Sequence, residues 1–220
     1  MHLRYLLSPK QLCLNLKFVA LCILIGLISV IFVKIVEYAY NAFLYLEPRL
    51  GFWLIIYVPV MMVLIVYLLR NFFPEAEGSG LPQVLAIRDL SEKKINGIFN
   101  LKSIFSKILL ISLGTLSGGT LGREGATVQI GASLMNQLSS SASIQRRRTM
   151  LIVGAASGLA SAFNTPLGGI VFAFEELIRV KSERINMLKM SGIAISGIIS
   201  ISILTNYSYF GRVERELLLY

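Results

Sequence analysis

The chain has 220 residues, of which 55% are hydrophobic and 15% charged, with a formal net charge of +9 and a mean hydropathy of +0.71. These values lie far from those of soluble domains and predict a membrane protein built mostly of helices. Most of the basic residues lie in loops between apolar runs, without a basic surface that interleaves aromatic side chains. The positive charge therefore indicates membrane orientation and contact with anionic lipid, and argues against nucleic-acid binding.

Apolar runs suited to membrane helices recur along the chain. The first two, residues 15–40 and 51–69, are about long enough for the roughly 20 residues that a crossing needs. Further apolar segments, several of them short or interrupted by Gly and Pro, cover residues 104–121, 126–138, 151–174 and 185–204. Broken segments line cavities, because unpaired backbone groups in hydrocarbon cost several kcal/mol each. The sequence predicts an all-α integral membrane protein with short broken helices.

Lysine and arginine predict the orientation of the chain, because these residues collect in cytoplasmic loops. With a cytoplasmic N-terminus, most of the 21 Lys and Arg residues fall in loops on the inner side. The count assumes that successive segments cross the membrane in opposite directions. These segments begin near residues 15, 51, 104, 125, 151, 166 and 185. We therefore expect a multi-pass protein whose N-terminus is cytoplasmic.

The first polar motif, Gly78-Ser79-Gly80-Leu81-Pro82, follows the second apolar run. Ser79 supplies an O–H donor between two glycines, and Pro82 suits the first turn of a short helix whose N-terminal amides favour an anion. The combination suits a monovalent anion such as chloride. The alternative is an ordinary glycine-rich turn that caps a surface helix. A phosphate loop is disfavoured because the Gly-Lys-Ser/Thr ending of the Walker motif is missing.

The second motif places Arg123 and Glu124 between Gly122 and Gly125, where a membrane helix would otherwise continue. Desolvating such a pair costs several kcal/mol unless the site uses or compensates the charge. A helix that restarts at Gly125 would direct its amides at an anion, and an ionised carboxylate could occupy the anion position and withdraw when protonated. The alternative is helix packing through glycines spaced four residues apart from Gly114 to Gly122, which leaves the charged pair unexplained.

The third motif runs from Asn164 to Glu176. Asn164 or Thr165 is the expected N-cap and Pro166 the first-turn residue of a short apolar helix that ends on Glu175 and Glu176. Carboxylates at a helix C-terminus oppose the macrodipole, at a cost of about 0.3–1 kcal/mol each. Both could be solvated interfacial glutamates paired with nearby basic side chains. We accept that interpretation for Glu175, and it stays open for Glu176.

Together and in this order, the three motifs resemble the signature elements of the CLC family of chloride channels and chloride/proton antiporters. The resemblance extends over nearly the whole chain and implies the first inverted repeat of that fold, so residues 1–220 would form the N-terminal half of a transmembrane domain. The second half, which in the family supplies a Gly-x-Phe-x-Pro segment and a tyrosine to the anion site, would be absent. Ala126 stands where the family usually has the proline of its GREGP motif.

The resemblance also implies roles for individual residues. Ser79 contributes to the central anion site, Glu124 is the gating glutamate, and Glu176 is the internal proton acceptor. The anion-binding set is then Gly78, Ser79, Gly80, Leu81, Pro82, Gly122, Arg123, Glu124 and Gly125. A carboxylate at Glu176 favours an antiporter over a channel. Serine at position 79 favours chloride over nitrate and argues against the fluoride-exporting branch.

We therefore expect chloride/proton antiport in the complete form, with chloride and protons as transported ions and no cofactor or metal. The alternatives are a passive chloride channel and a truncated, non-transporting membrane component that acts as an assembly partner. The expected setting is a bacterial inner membrane, with lipid contacts and a homodimer formed through residues 166–176 and 185–204. An enzymatic activity is not expected, because the sequence offers no nucleophile–base pair or metal cluster.

Overall fold

A computed structural model describes residues 9–180 and 186–204, and every regular element within these ranges is helical. Short 3₁₀ turns supplement the α-helices before α2, before α3 and after α3. The α-helices are α1 (Pro9–Leu50), α2 (Leu54–Phe72), α3 (Leu81–Leu85), α4 (Glu92–Ile98), α5 (Leu101–Leu116), α6 (Glu124–Ser139), α7 (Ile144–Phe163), α8 (Pro166–Val180) and α9 (Met187–Leu204). The predicted all-α fold with short broken helices is confirmed.

Two helical stretches of the described residues are long and apolar enough to cross a membrane. They are Leu12–Phe72, which joins α1 to α2, and α9. A third candidate forms where α4 and α5 meet at a bend of 41°. Helices α6 and α8 have 16 and 15 residues, fewer than the roughly 20 that a crossing needs. Most residues of α6 are buried, as predicted for a broken helix in the interior.

Helix α1 is longer than the apolar run that predicted it. It continues beyond Tyr40 to Leu50 and has 42 residues, which corresponds to about 63 Å at 1.5 Å per residue. Lys34 and Glu37, whose charges interrupt the run, form an ion pair of 2.8 Å one turn apart and so fit the helix. The helix ends at Leu50, because Gly51 has a φ of +49°, and a 3₁₀ turn then leads into α2.

Helices α6 and α7 form the centre of the fold and cross with their backbones in contact. A Cβ added to Gly154 would lie 2.3 Å from the carbonyl oxygen of Gly131, and one added to Gly158 would lie 2.2 Å from that of Thr127. Small residues four positions apart on both helices allow this approach, as in close helix pairs in membranes. The residues that bring two helices together in the core are therefore these, and they lie outside the series from Gly114 to Gly122.

The alternative in which the glycines from Gly114 to Gly122 pack two membrane helices together does not hold. Helix α5 ends before Gly118, which has a φ of +86° and lies against the ring of Phe43. A Cβ added to Gly114 would meet the Leu121 side chain in the loop that follows the helix. These glycines therefore shape the turn between α5 and α6.

Enlarging Gly154 tests the contact between α6 and α7. Gly154→Ala should lower the free energy of unfolding by about 1–3 kcal/mol, because the added methyl group would force the two backbones apart. Gly97→Ala in α4 is the control: no atom lies within 4 Å of its added Cβ, and alanine favours a helix by up to about 1 kcal/mol over glycine. Thermal unfolding in detergent measures both, and equal midpoints would contradict the contact.

Serine hydroxyls join α7 to α9. The Ser196 hydroxyl lies 3.0 Å from the carbonyl oxygen of Ser157, and the Ser161 hydroxyl lies 3.0 Å from that of Ser196. The Ser200 hydroxyl lies 2.8 Å from both the Ser161 carbonyl oxygen and Asn164 Oδ1. Hydrogen bonds of this kind between membrane helices contribute about 1 kcal/mol each. They hold α9 against the central pair of helices.

Candidate functional site

Residues 73–90 form a segment that enters the fold at one end, beside the starts of α5 and α7, and leaves it at the same end. Lys102 Nζ donates to the Phe72 carbonyl oxygen at 2.6 Å, and Arg148 Nη2 donates to the Leu90 carbonyl oxygen at 3.1 Å. Both ends of the segment are thus tied to the starts of α5 and α7. The segment is re-entrant, with the first motif at its turning point.

Helix α3, which begins within the first motif at Leu81, and the 3₁₀ turn after it each bury one apolar side chain in the core. Val84 and Ile87 are 2% and 1% exposed and belong to an apolar cluster with residues of α6 and α7. A turn that caps a surface helix does not account for the burial of Val84 and Ile87.

The first and second motifs meet through their backbones. A Cβ added to Gly80 would lie 2.2 Å from the carbonyl oxygen of Gly125, and one added to Gly125 would lie 2.5 Å from the carbonyl oxygen of Ser79. Gly80 also has a φ of +104°, which side chains strongly disfavour. Glycine at both positions therefore lets the backbone of Ser79 lie against the first turn of α6.

Helix α6 begins at Glu124, one residue before the predicted start. Its first-turn amides have no partner within the helix, and together with the helix dipole they favour a nearby anion. The Thr127 hydroxyl lies 2.8 Å from the carbonyl oxygen of Arg123 and 2.9 Å from that of Glu124. Ala126, which stands where the family usually has proline, is fully buried in this turn. The helix therefore starts here without a proline.

The ionisable pair of the second motif is half-buried. A Cβ added to Gly122 would lie 3.2 Å from Glu124 Oε2, so the carboxylate folds over that glycine. Arg123 lines a cavity of about 290 Å³, together with Tyr40 and Phe43 of α1 and with the loop after α5. The two charges therefore lie at the start of α6 beside a cavity.

Two further side chains fix the loop of the first motif. Lys107, 2% exposed, donates from Nζ to the Gly78 carbonyl oxygen. Gln83 Oε1 accepts from the Gly80 amide at 2.9 Å, and its Nε2 donates to the Glu77 carbonyl oxygen at 2.6 Å. We did not predict either residue, although a lone lysine inside an apolar run is a signal of a functional site.

Removing the Lys107 ammonium should loosen this loop. Lys107→Met should lower the free energy of unfolding by about 1–3 kcal/mol, because the Gly78 carbonyl oxygen loses its donor. Such a loss lowers the unfolding midpoint by about 2–4 °C per kcal/mol for a chain of this size. The exposed Lys94→Met on α4 is the control, with an expected change within about 0.5 kcal/mol. A Lys107→Met midpoint equal to that of the control would show that the contact contributes nothing.

The two glutamates of the third motif differ in burial. Glu176 is 6% exposed, whereas Glu175 is exposed. The prediction that their helix ends on them is wrong, because α8 continues to Val180 through the apolar residues Leu177 and Ile178. Burial therefore distinguishes Glu176 from a solvated interfacial glutamate.

The predicted start of the same helix is confirmed at Pro166, with Thr165 in the position before it. Asn164 has a different role, because its φ of +54° and ψ of +36° make it the left-handed residue that closes α7. Its side-chain oxygen is held by the Ser200 hydroxyl. An asparagine tolerates this conformation better than most other residues with a side chain, so α7 ends here and a separate helix begins at Pro166, as predicted.

The structure brings Ser79 and Glu124 into one region and leaves Glu176 apart from them. Helix α8 folds back along α7, with Gly169 against the Ala156 carbonyl oxygen. Glu176 follows Gly169 by about two turns, or roughly 10 Å, towards the start of α7. Glu124 lies at the other end of the antiparallel α6–α7 pair.

The described ranges contain no group of three His, Cys, Asp or Glu residues that could hold a metal ion.

The protein has an all-helical membrane fold. Its broken helices bring together amide donors, a serine and an ionisable pair, which are the features of a membrane protein with a candidate anion site. Over residues 61–219 the chain matches the model of the voltage gated chloride channel family, the CLC family, and it belongs to that family of integral membrane transport proteins.

Relatives of the chain include bacterial exchangers. The chain is 35% identical over 164 residues to the H(+)/Cl(-) exchange transporter ClcA of Citrobacter koseri, a match that covers 69% of this chain and 33% of that protein. It is 33% identical over 190 residues to ClcA of Salmonella schwarzengrund, a match that covers 80% of this chain and 39% of that protein. The chain thus spans between a third and two fifths of the length of these relatives.

Proposed function

We propose that this chain supplies one side of the anion pathway in a chloride/proton exchanger. The supporting observation is the backbone contact between Ser79, Gly80 and Gly125, which sets Ser79, a residue with a hydroxyl donor, beside the first turn of α6. Hydroxyl and amide donors together replace part of the hydration shell of a small anion. The printed names of the relatives, H(+)/Cl(-) exchange transporters, support chloride and protons as the transported ions.

Glu124 acts as the gate in this proposal. Its carboxylate is at the first residue of α6, where the helix dipole favours negative charge. An ionised Glu124 can take the anion position near these amides, and a protonated one loses that attraction and leaves the position to chloride. One side chain would thus alternate with chloride and carry a proton.

Glu176 acts as the proton acceptor towards the other side of the membrane. It is buried, and a buried carboxylate is costly unless its charge is compensated or neutralised. Its position towards the start of α7 separates it from Glu124, so that a proton could enter at one carboxylate and leave at the other. The exposed Glu175 has no part in this path.

We propose that the end of the fold that carries the start of α7 faces the cytoplasm of a bacterial inner membrane. Arg147 Nε donates to Asn136 Oδ1 at 2.8 Å, and an Arg147 Nη2 bond to Asn96 ties this end of α6 and α7 to α4. The basic loops thereby gather at one end, as cytoplasmic loops do. Leu14 of α1 shares a cavity with residues of this end, so the N-terminus would be cytoplasmic.

We also propose a homodimer formed through α8 and α9. Leu167, Val171 and Phe174 recur along one face of α8 and are 77%, 64% and 43% exposed, and Ile198 of α9 is 53% exposed. An apolar face of this kind suits a second copy of the chain as well as lipid.

Paired chloride and proton flux in liposomes tests the exchanger. The test protein, here called the ClcA chimaera, joins these 220 residues to the C-terminal half of the Citrobacter koseri relative. Chloride movement that drives protons against their gradient is expected. Chloride flux without proton movement would identify a passive channel. The 220 residues alone are the control, and flux through them would contradict an anion site shared with the second half.

Ser79→Pro in the ClcA chimaera should shift anion preference from chloride towards nitrate. The change removes the hydroxyl donor, and a neutral hydrogen bond of about 0.5–1.5 kcal/mol corresponds to about a 2–10-fold loss of chloride preference. The exposed Ser191→Ala in α9 is the control and should leave the ratio unchanged. The measurement is the ratio of chloride to nitrate flux, and an unchanged ratio in Ser79→Pro would remove Ser79 from the anion site.

A further inference from the structure

A separate cavity of about 330 Å³ lies at the basic end of the fold, away from the contact between Ser79 and Gly125. It is enclosed by the start of α1, the end of α6 and the starts of α7 and α9. Its polar lining consists of Asn15, Ser139, Ser141, Arg146, Asn186 and Lys189. None of the described residues that line it is acidic.

Two cations in the wall give the cavity a positive charge. Lys189 is 6% exposed and Arg146 is half-buried. In the described part of the chain, no hydrogen bond or ion pair engages the Arg146 guanidinium. Taking the Arg146 guanidinium partly out of water is costly, and an anion inside the cavity would offset that cost. The cavity therefore favours an anionic ligand.

The remaining lining identifies the class of anion. Arg146, Lys189 and Asn186 line the space and carry N–H donors, and a phosphate group has several oxygens that can accept from such donors. The other walls are apolar, with Phe18 of α1, Leu138 of α6 and Met150 of α7. A ligand with a phosphate group joined to an apolar portion matches both the basic and the apolar parts of the cavity wall.

We propose that this cavity binds the phosphate group of an anionic phospholipid. The cavity lies where α1 begins its long apolar course, so a lipid could place its head group against Arg146 and Lys189 and its acyl chains beside α1. Basic pockets between membrane helices on the cytoplasmic side bind lipid head groups in this way. The proposal does not depend on which ions the protein transports.

Native mass spectrometry of the 220-residue chain tests the site, with dioctanoyl phosphatidylglycerol as the probe and dioctanoyl phosphatidylcholine as its neutral counterpart. Phosphatidylglycerol should be retained in preference, and Arg146→Gln should weaken its retention about tenfold, as expected for a hydrogen bond to a charged group. Arg146→Lys should keep part of the retention, because it keeps the charge. Lys17→Gln is the matched control: it removes one positive charge from an exposed position near the same end, and it should change little.

Glycerol phosphate distinguishes a lipid from a free phosphate ligand, because it carries the same phosphate group without acyl chains. At equal concentration it should not displace phosphatidylglycerol, and displacement would overturn the assignment to lipid. Equal retention of the two lipids, or equal effects of Arg146→Gln and Lys17→Gln, would overturn the site itself.

Discussion

Glu124→Gln in the ClcA chimaera should abolish proton transport and leave chloride flux in place. A neutral amide has the shape of the protonated carboxylate, so it leaves the anion position to chloride, but it carries no proton. The half-buried side chain lies over Gly122 at the start of α6, where a carboxylate and an anion would compete for the same amides. Proton movement in liposomes should fall to the level of protein-free vesicles.

The control for this change is Glu37→Gln, which alters another glutamate beside the cavity that Arg123 lines. Glu37 pairs with Lys34 and is exposed, so its loss should leave both fluxes unchanged. If protons still moved at the original ratio to chloride in Glu124→Gln, another residue would be the gate.

Glu176→Gln should likewise stop proton transport and permit chloride flux, whereas Glu175→Gln should change neither. The two residues are adjacent and chemically identical, but only Glu176 is buried. Comparing the two variants therefore distinguishes the loss of a proton acceptor from the loss of any negative charge on α8. An exposed charge contributes under about 1 kcal/mol to stability, so Glu175→Gln should also fold normally.

Paired chloride and proton flux measures both variants under one gradient. Equal behaviour of the two would return Glu176 to the interpretation as an interfacial glutamate, and it would leave a chloride channel as the better description of the ClcA chimaera.

Much of the fold was predictable because apolar length and helix breakers are local properties of the chain. The start of α8 at Pro166 and the start of α6 within one residue of Gly125 followed from proline and glycine chemistry. The end of α1 did not, because the polar residues and the proline after Tyr40 lower the hydropathy of the chain but still fit a helix that continues to Leu50.

Motif chemistry proposes individual residues for the candidate site, but it does not predict their three-dimensional arrangement. Motif chemistry singled out Ser79 and Glu124, but their proximity depends on Gly80 and Gly125 approaching across more than forty residues of sequence. The role of Lys107 was missed for the same reason, since its acceptor is a backbone carbonyl in a distant loop. Contacts between distant backbones leave no periodic signal in a single sequence.

Crystals of the Glu124→Gln ClcA chimaera soaked in bromide would locate the anion directly by anomalous diffraction. We predict a bromide peak within about 3.5 Å of Ser79 Oγ and beside the first-turn amides of α6, at the contact between the two motifs. A bromide peak that contacts neither Ser79 nor α6, or the absence of any peak at this contact, would contradict the proposed anion pathway.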